Sequence, residues 1–217
     1  MSFTYNDIIM RILFLIFCLT FASPPVAALE VGDKLEEFSL RNAFNQRFHL
    51  RHMIEYGPVL FAFYHGGWSS ESRERLRELQ KIMPNLKAMN VHLVAISPEK
   101  PSMAQKTIFK QKLGFHILHD HHNQLAQSWG VLQTIPSAEH KAIDRWMKET
   151  HDTSLAEVNE NYKDTYKLPR HASILVDEQG KIRFLDIPNL PGSSLPQAAI
   201  LKTLDTMKAT KSSYPQR

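Results

Sequence analysis

The chain has a single cysteine among 217 residues, Cys18, and it lies inside an apolar N-terminal segment. One cysteine excludes an intrachain disulfide, and once that segment is removed no thiol remains at all. Charge of one sign is also missing. Lys and Arg number 26 against 22 Asp and Glu, for a net +4, and the basic residues are scattered among acidic ones rather than grouped into a stripe. That pattern argues against a nucleic-acid partner. Nor is there a hydrophobic run of the roughly 20 residues that span a bilayer; the longest, Ile12 to Phe21, is about ten. No internal repeat or long linker interrupts the sequence.

The short run has a different use. Met10-Arg11, the apolar Ile12 to Phe21 and the small residues Val26-Ala27-Ala28 have the order of a signal peptide. Cleavage after Ala28 is expected, with Cys18 filling the signal helix; Phe17 stands where lipidation of Cys18 would need a small residue. The expected product is secreted or periplasmic, with residues 29-217 forming one domain and no stable membrane span. Removing residues 1-28 takes away Asp7 and Arg11, so the net charge stays at +4.

Within the domain, Phe38 to Leu50 reads as a short strand and loop. Pro58 to Tyr64 is a continuous apolar run ended by Gly66-Gly67, the pattern of a strand buried on both faces. Leu76, Leu79, Met83, Leu86 and Met89 then recur at helical spacing, with Arg and Glu on the other face. Val91 to Ser97 predicts a second buried strand, Pro101 to Leu113 a helix, and Phe115 to Leu118 a shorter strand. Asp120 or Asn123 is placed to cap a helix through Leu125, Ala126 and Trp129 that Gly130 stops. Residues 137-167 read as a polar, partly helical insertion around Ile143, Trp146 and Met147. Ala172 to Asp177 and Lys181 to Leu185 predict a hairpin turning at Gly180, and Leu195 to Lys208 a closing amphipathic helix. The order is that of an α/β sandwich on a mixed central sheet flanked by helices.

Several phrases, in this order, carry a family resemblance: Val31-Gly32-Asp33, Phe63-Tyr64-x-Gly66-Gly67-Trp68, Leu93 to Ser97, Trp129-Gly130-Val131 and Val176-Asp177-x-x-Gly180-x-Ile182-Arg183-Phe184. Across residues 30-208 the chain resembles the peroxiredoxins, in particular the alkyl hydroperoxide reductase and thiol-specific antioxidant branch. The resemblance implies a thioredoxin-like fold of the peroxiredoxin type, an antioxidant peroxidase activity, no cofactor, and a homodimer. It also implies a peroxide-attacking cysteine at the position of Ser72, and at Ser69 either the first cysteine of a C-x-x-C or a threonine.

Here that stretch reads Trp68-Ser69-x-x-Ser72. A cysteine at a helix N-terminus ionises near neutral pH, and its sulfur accepts oxygen and gives it up to a thiol. A serine does neither, because a helix dipole is worth roughly 0.3 to 1 kcal/mol, a pKa unit or less. The residues therefore predict a family member that is inactive as a thiol peroxidase and acts as a binding or scaffold protein for an unknown protein or small ligand. His171 stands where the resemblance implies a proline or an arginine, Arg170 beside it is a candidate to reach the pocket, and His65 and Trp68 are candidate binding residues.

Two other chemistries stay open at this point. The turn holding His116, His119, His121 and His122 is a candidate metal site in an exported protein. Gly67-Trp68-Ser69-Ser70-Glu71 lacks the second glycine of a hydrolase nucleophile elbow, so a hydrolase requires His65 or His171 to lie near Ser69.

Overall fold

A computed structural model describes residues 29-151, 166-189 and 193-212. The expected signal segment lies outside the described residues. Strands β1 (Ser39–Asn42) and β2 (Arg47–His49) form an antiparallel hairpin, where the sequence predicted one strand and a loop. Helix α1 (Leu50–Glu55) follows it. This short helix has no capping side chain and buries only Leu50 and Met53, too brief a stripe to stand out as a helical period.

The alternating unit comes next: β3 (Val59–Phe63), α2 (Ser70–Ala88), β4 (His92–Ser97), α3 (Pro101–Gln111) and β5 (His116–His119). Strands β3, β4 and β5 are parallel neighbours, as strands joined by helical crossovers must be. A 3₁₀ turn at His121–Asn123 leads into α4 (Gln124–Ser128). Asp120, not Asn123, caps α4, its two carboxylate oxygens accepting the backbone N–H groups of Leu125 and Ala126 at 2.9 and 2.8 Å. Asn123 is left-handed at φ 55° and makes no capping bond.

Of the insertion, residues 137-151 form helix α5 (Ser137–His151), and residues 152-165 lie outside the described residues; β6 (Leu132–Thr134) and β7 (Lys167–Pro169), before and after it, pair as a separate two-stranded sheet. Strands β8 (Ser173–Val176) and β9 (Ile182–Asp186) form the expected hairpin, with Gly180 at φ 77° in its turn. Helix α6 (Gln197–Ser212) closes the fold. The main sheet has the order β2-β1-β5-β4-β3-β8-β9. Among the described residues no helix is long and apolar enough to cross a membrane.

The core explains why β3 reads as an unbroken apolar run. All five of its residues are at most 1% exposed. Leu60 and Ala62 face a layer made with Leu76, Leu79, Leu86 and Ile200, while Val59, Phe61 and Phe63 face another made with Leu50, Leu125, Trp129 and Ile174. Helices thus cover both sides of the sheet, and β3 within it carries no polar face.

What positions the site is the loop after β3. Glu99, two residues past the end of β4, is only 2% exposed. Its carboxylate accepts hydrogen bonds from the Tyr64 hydroxyl, from Gly67 N at 2.8 Å and from Thr107 Oγ1 at 3.5 Å. Its carbonyl pairs with His119 Nδ1 at 2.8 Å. Glycine is required at 67, since a Cβ there would stand 1.9 Å from Thr107 Oγ1. We expect Gly67→Ala to cost about 1–3 kcal/mol, the usual penalty for overpacking, with part of the loss recovered by adding Thr107→Ala. Urea unfolding of the two variants checks this; an unchanged midpoint for Gly67→Ala would refute it.

Candidate functional site

Helix α2 begins where Ser69 accepts a hydrogen bond from Ser72 N through its Oγ, at 3.3 Å. Ser69 is therefore the N-cap, a job its short hydroxyl side chain suits, and this is its role at the site. Ser72, one turn in, is completely buried. Its Oγ lies 3.0 Å from His171 Nε2, and the other ring nitrogen, Nδ1, is 2.9 Å from Glu71 Oε1. Three side chains from two distant parts of the chain thus form one line: Ser72, His171, Glu71.

The direction of its hydrogen bonds follows from chemistry. Burial, and next the positive Arg75 guanidinium, push His171 down to about 4, so the ring is neutral at pH 7 and carries one N–H. An ionised carboxylate only accepts, so Nδ1 holds that hydrogen and donates it to Glu71. Nε2 is then an acceptor, and the Ser72 hydroxyl donates to it.

His171 is held from behind as well. Arg75, 3% exposed, donates through Nη2 to the His171 carbonyl and to Ser173 Oγ, both at 3.1 Å. Its charge is balanced by Asp186 at 3.7 Å and Glu78 at 3.9 Å, while Nε and Nη1 have no hydrogen-bond partner. In front, His65 stacks on His171 with ring centroids 4.4 Å apart and on Trp68 at 6.2 Å. Its Nε2 pairs with Gln133 at 3.1 Å. Burial, with His171 a lesser cause, lowers His65 to about 3. A small cavity of about 10 Å³ is lined by His65, Glu71, Gln133, Arg170, His171, Pro188 and Ser193; that is room for about one water.

The sequence candidates divide accordingly. Ser69, Ser72, His171 and His65 come together. Trp68 joins them as packing, 6% exposed against Ile135, Met147 and Leu168 beneath the insertion. Arg170 reaches the rim, where its Nη1 donates to Asn189 Oδ1 at 3.0 Å, so it borders the cavity and turns outward. The histidine turn does not bring all four imidazoles to one point. His116 packs on Phe48 at 4.8 Å and meets Asn42 at 3.4 Å, on another side from His119, which is tied to the Glu99 carbonyl. His119 lies 5.4 Å from His121, ring to ring, and His121 3.6 Å from His122. Among the described residues no group of three or more histidine or acidic side chains is placed to hold a metal ion.

Glu71, Arg75, Glu99 and Gln133 are site residues that the sequence reading missed. The two on α2 read as part of a solvated charged face. The available signal was that Glu71 and Arg75 flank Ser72 within one turn, on a helix whose N-terminus was already marked as the site.

The two site imidazoles make stability depend on pH. Each is neutral in the fold well below the ordinary histidine value of 6.5. The unfolded chain therefore binds more protons than the fold between about pH 6.5 and 4, and their contribution is full above 6.5 and lost as pH falls. Glu99, raised to about 6 by burial, acts in the opposite sense, its contribution present below 4.5 and lost as pH rises through 6. We expect urea midpoints to fall between pH 7 and pH 4.5, and the fall to be shallower in His65→Gln, His171→Gln protein. An identical slope in both proteins would refute the assignment.

The family model described as AhpC/TSA family matches residues 31–185. A search of curated proteins gives no match. Solved structures with the same fold include the peroxidoxin BcpB of Mycobacterium tuberculosis, at 15% identity and TM-score 0.62, covering 83% of this chain and 97% of that one. AhpC of Enterococcus faecalis is similar at 15% identity and TM-score 0.62, covering 86% and 97%. A cysteine-to-serine mutant of Xylella fastidiosa PrxQ matches at 13% identity and TM-score 0.61, covering 85% and 99%. The family match spans well over half of the sequence and the fold agrees across it, so the chain belongs to the AhpC/TSA family.

Proposed function

We propose that this protein is a peroxiredoxin-type member that has left thiol peroxidase chemistry and uses its pocket to bind, as an exported binding or scaffold protein. The observation that carries the reading is Ser72: it occupies the expected position of the peroxide-attacking cysteine, is completely buried, and its hydroxyl is bound to His171. An alcohol oxygen there has no counterpart to the thiolate, the sulfenic acid or the return to thiol. The position where the resemblance implies a proline or an arginine is likewise filled by an imidazole, His171, held neutral at physiological pH.

The ligand this pocket suits is small and polar. Its lining offers Gln133, His65, Glu71 and Arg170 around a space the size of a water molecule. Export follows from the N-terminal pattern of a charged residue, an apolar core and small residues before Leu29.

The test is consumption of hydrogen peroxide and an alkyl hydroperoxide, with a thiol reductant, by the protein lacking residues 1-28 and by its Ser69→Cys, Ser72→Cys variant. We expect the natural protein to match the uncatalysed rate and the cysteine variant to turn over. Peroxide consumption by the natural protein would overturn the reading.

A further inference from the structure

The hydrogen-bonded line at the base of the pocket has the parts of a nucleophile rather than of a redox centre. We propose that Ser72, His171 and Glu71 form a nucleophilic relay that takes a small acyl group from an ester onto Ser72 Oγ and passes it to water. This rests on the reading of the pocket as non-redox, and gives that pocket a reaction.

The geometry meets what such a relay requires. The hydroxyl is 3.0 Å from one imidazole nitrogen and the carboxylate 2.9 Å from the other, both within the reach expected of a nucleophile, its base and the group that orients the base. The hydrogen-bond directions already agree, with Ser72 donating to a neutral Nε2. Ser72 is the third residue of the 19-residue helix α2, whose N-terminal end favours developing negative charge. Arg75, one turn on, adds a buried positive charge beside His171 and fixes that residue's backbone through the His171 carbonyl. The sequence reading asked for a histidine near Ser69; the structure puts His171 against Ser72 instead.

The reaction balances without an oxidant or cofactor. Ser72 Oγ bonds to the carbonyl carbon while its proton passes to His171 Nε2. The carbon–oxygen bond to the leaving alkoxide breaks, and that oxygen departs with the proton from Nε2. A water then adds to the acyl carbon as Nε2 takes its proton, and Ser72 leaves with that proton, giving a carboxylic acid. Glu71 is a positioning residue: it fixes the tautomer and stabilises the imidazolium that forms. Size sets the specificity. The cavity is about 10 Å³ and touches Glu71 and His171 rather than Ser72, which is fully buried, so an acyl group as short as acetyl must reach Oγ past the edge of the His171 ring.

The experiment uses p-nitrophenyl acetate and p-nitrophenyl butyrate with the protein lacking residues 1-28, followed by acid quench and peptide mapping. We expect acetyl ester hydrolysis to fall about 10²-fold or more in Ser72→Ala and His171→Gln, in the range lost with a general base, and the butyrate to react more slowly. The quenched natural protein should carry acetyl on Ser72. Glu71→Gln should lower the rate and move the acid limb of the pH–rate profile to lower pH, because His171 loses its carboxylate while Arg75 on α2, His65 on the loop after β3 and the neighbouring Arg170 still surround it. Equal rates in natural and Ser72→Ala protein, or acetyl found only on other residues, would overturn the proposal. If Ser72→Ala fails to fold, mapping of the natural protein decides: acetyl on Ser72 supports the relay, and an unmodified Ser72 refutes it. Peroxide consumption in the same preparation reports separately on the non-redox reading.

Discussion

A single buried carboxylate, that of Glu99, holds the parts from which the site is assembled. Its side chain ties the end of β3 through Tyr64, the following loop through Gly67, and α3 through Thr107, while its carbonyl meets β5 through His119. A buried carboxylate is tolerable only when its oxygens are satisfied. The loop that supplies these donors is therefore fixed in shape, and with it the start of α2. Ser69, Glu71, Ser72 and Arg75 all take their places from that start, so the position of the site is decided on the far side of the loop from where its chemistry lies.

The family chemistry and the residues present make opposite demands on the same place. Sulfur at a helix N-terminus benefits from a nearby fixed cation, because the thiolate is the reactive species. An alcohol gains little from a cation alone and needs a base to take its proton as it attacks. Here the residue beside the serine is an imidazole, His171, oriented by a carboxylate from the residue before the serine.

Much of the fold was legible in the sequence because it is written in long signals. The unbroken run at β3, the helical spacing of Leu76, Leu79, Met83 and Leu86, and the turn at Gly180 each report a local constraint that the tertiary structure keeps. The hairpin β1–β2, the six-residue α1 and the three-residue β6 and β7 were not legible, since elements this short show too few residues for a period to stand out, and β6 and β7 pair across more than 30 residues of sequence. The site was half legible. Ser69, Ser72, His65 and His171 follow from motif position. Glu71 was hidden because a carboxylate in the first turn of a helix is ordinary, and its contact with His171 spans 100 residues. Asp120 shows the converse case: its capping role could be read from the sequence because it acts within six residues of itself.

Arg75 and Ser72 both reach from α2 to His171, one to its carbonyl and the other to its ring. The two bonds grip backbone and side chain of one residue: the Arg75 bond to the carbonyl, a hydrogen bond to a charged group worth roughly 1.5–3 kcal/mol, fixes the backbone, and the ring turns away from the helix only by breaking its bonds to Ser72 and Glu71. The first turn of a helix is ordinarily its loose end. In this protein it is pinned to the strand layer like a riveted joint, and a pocket built on that joint selects its contents by their shape, because it has little freedom to adopt theirs.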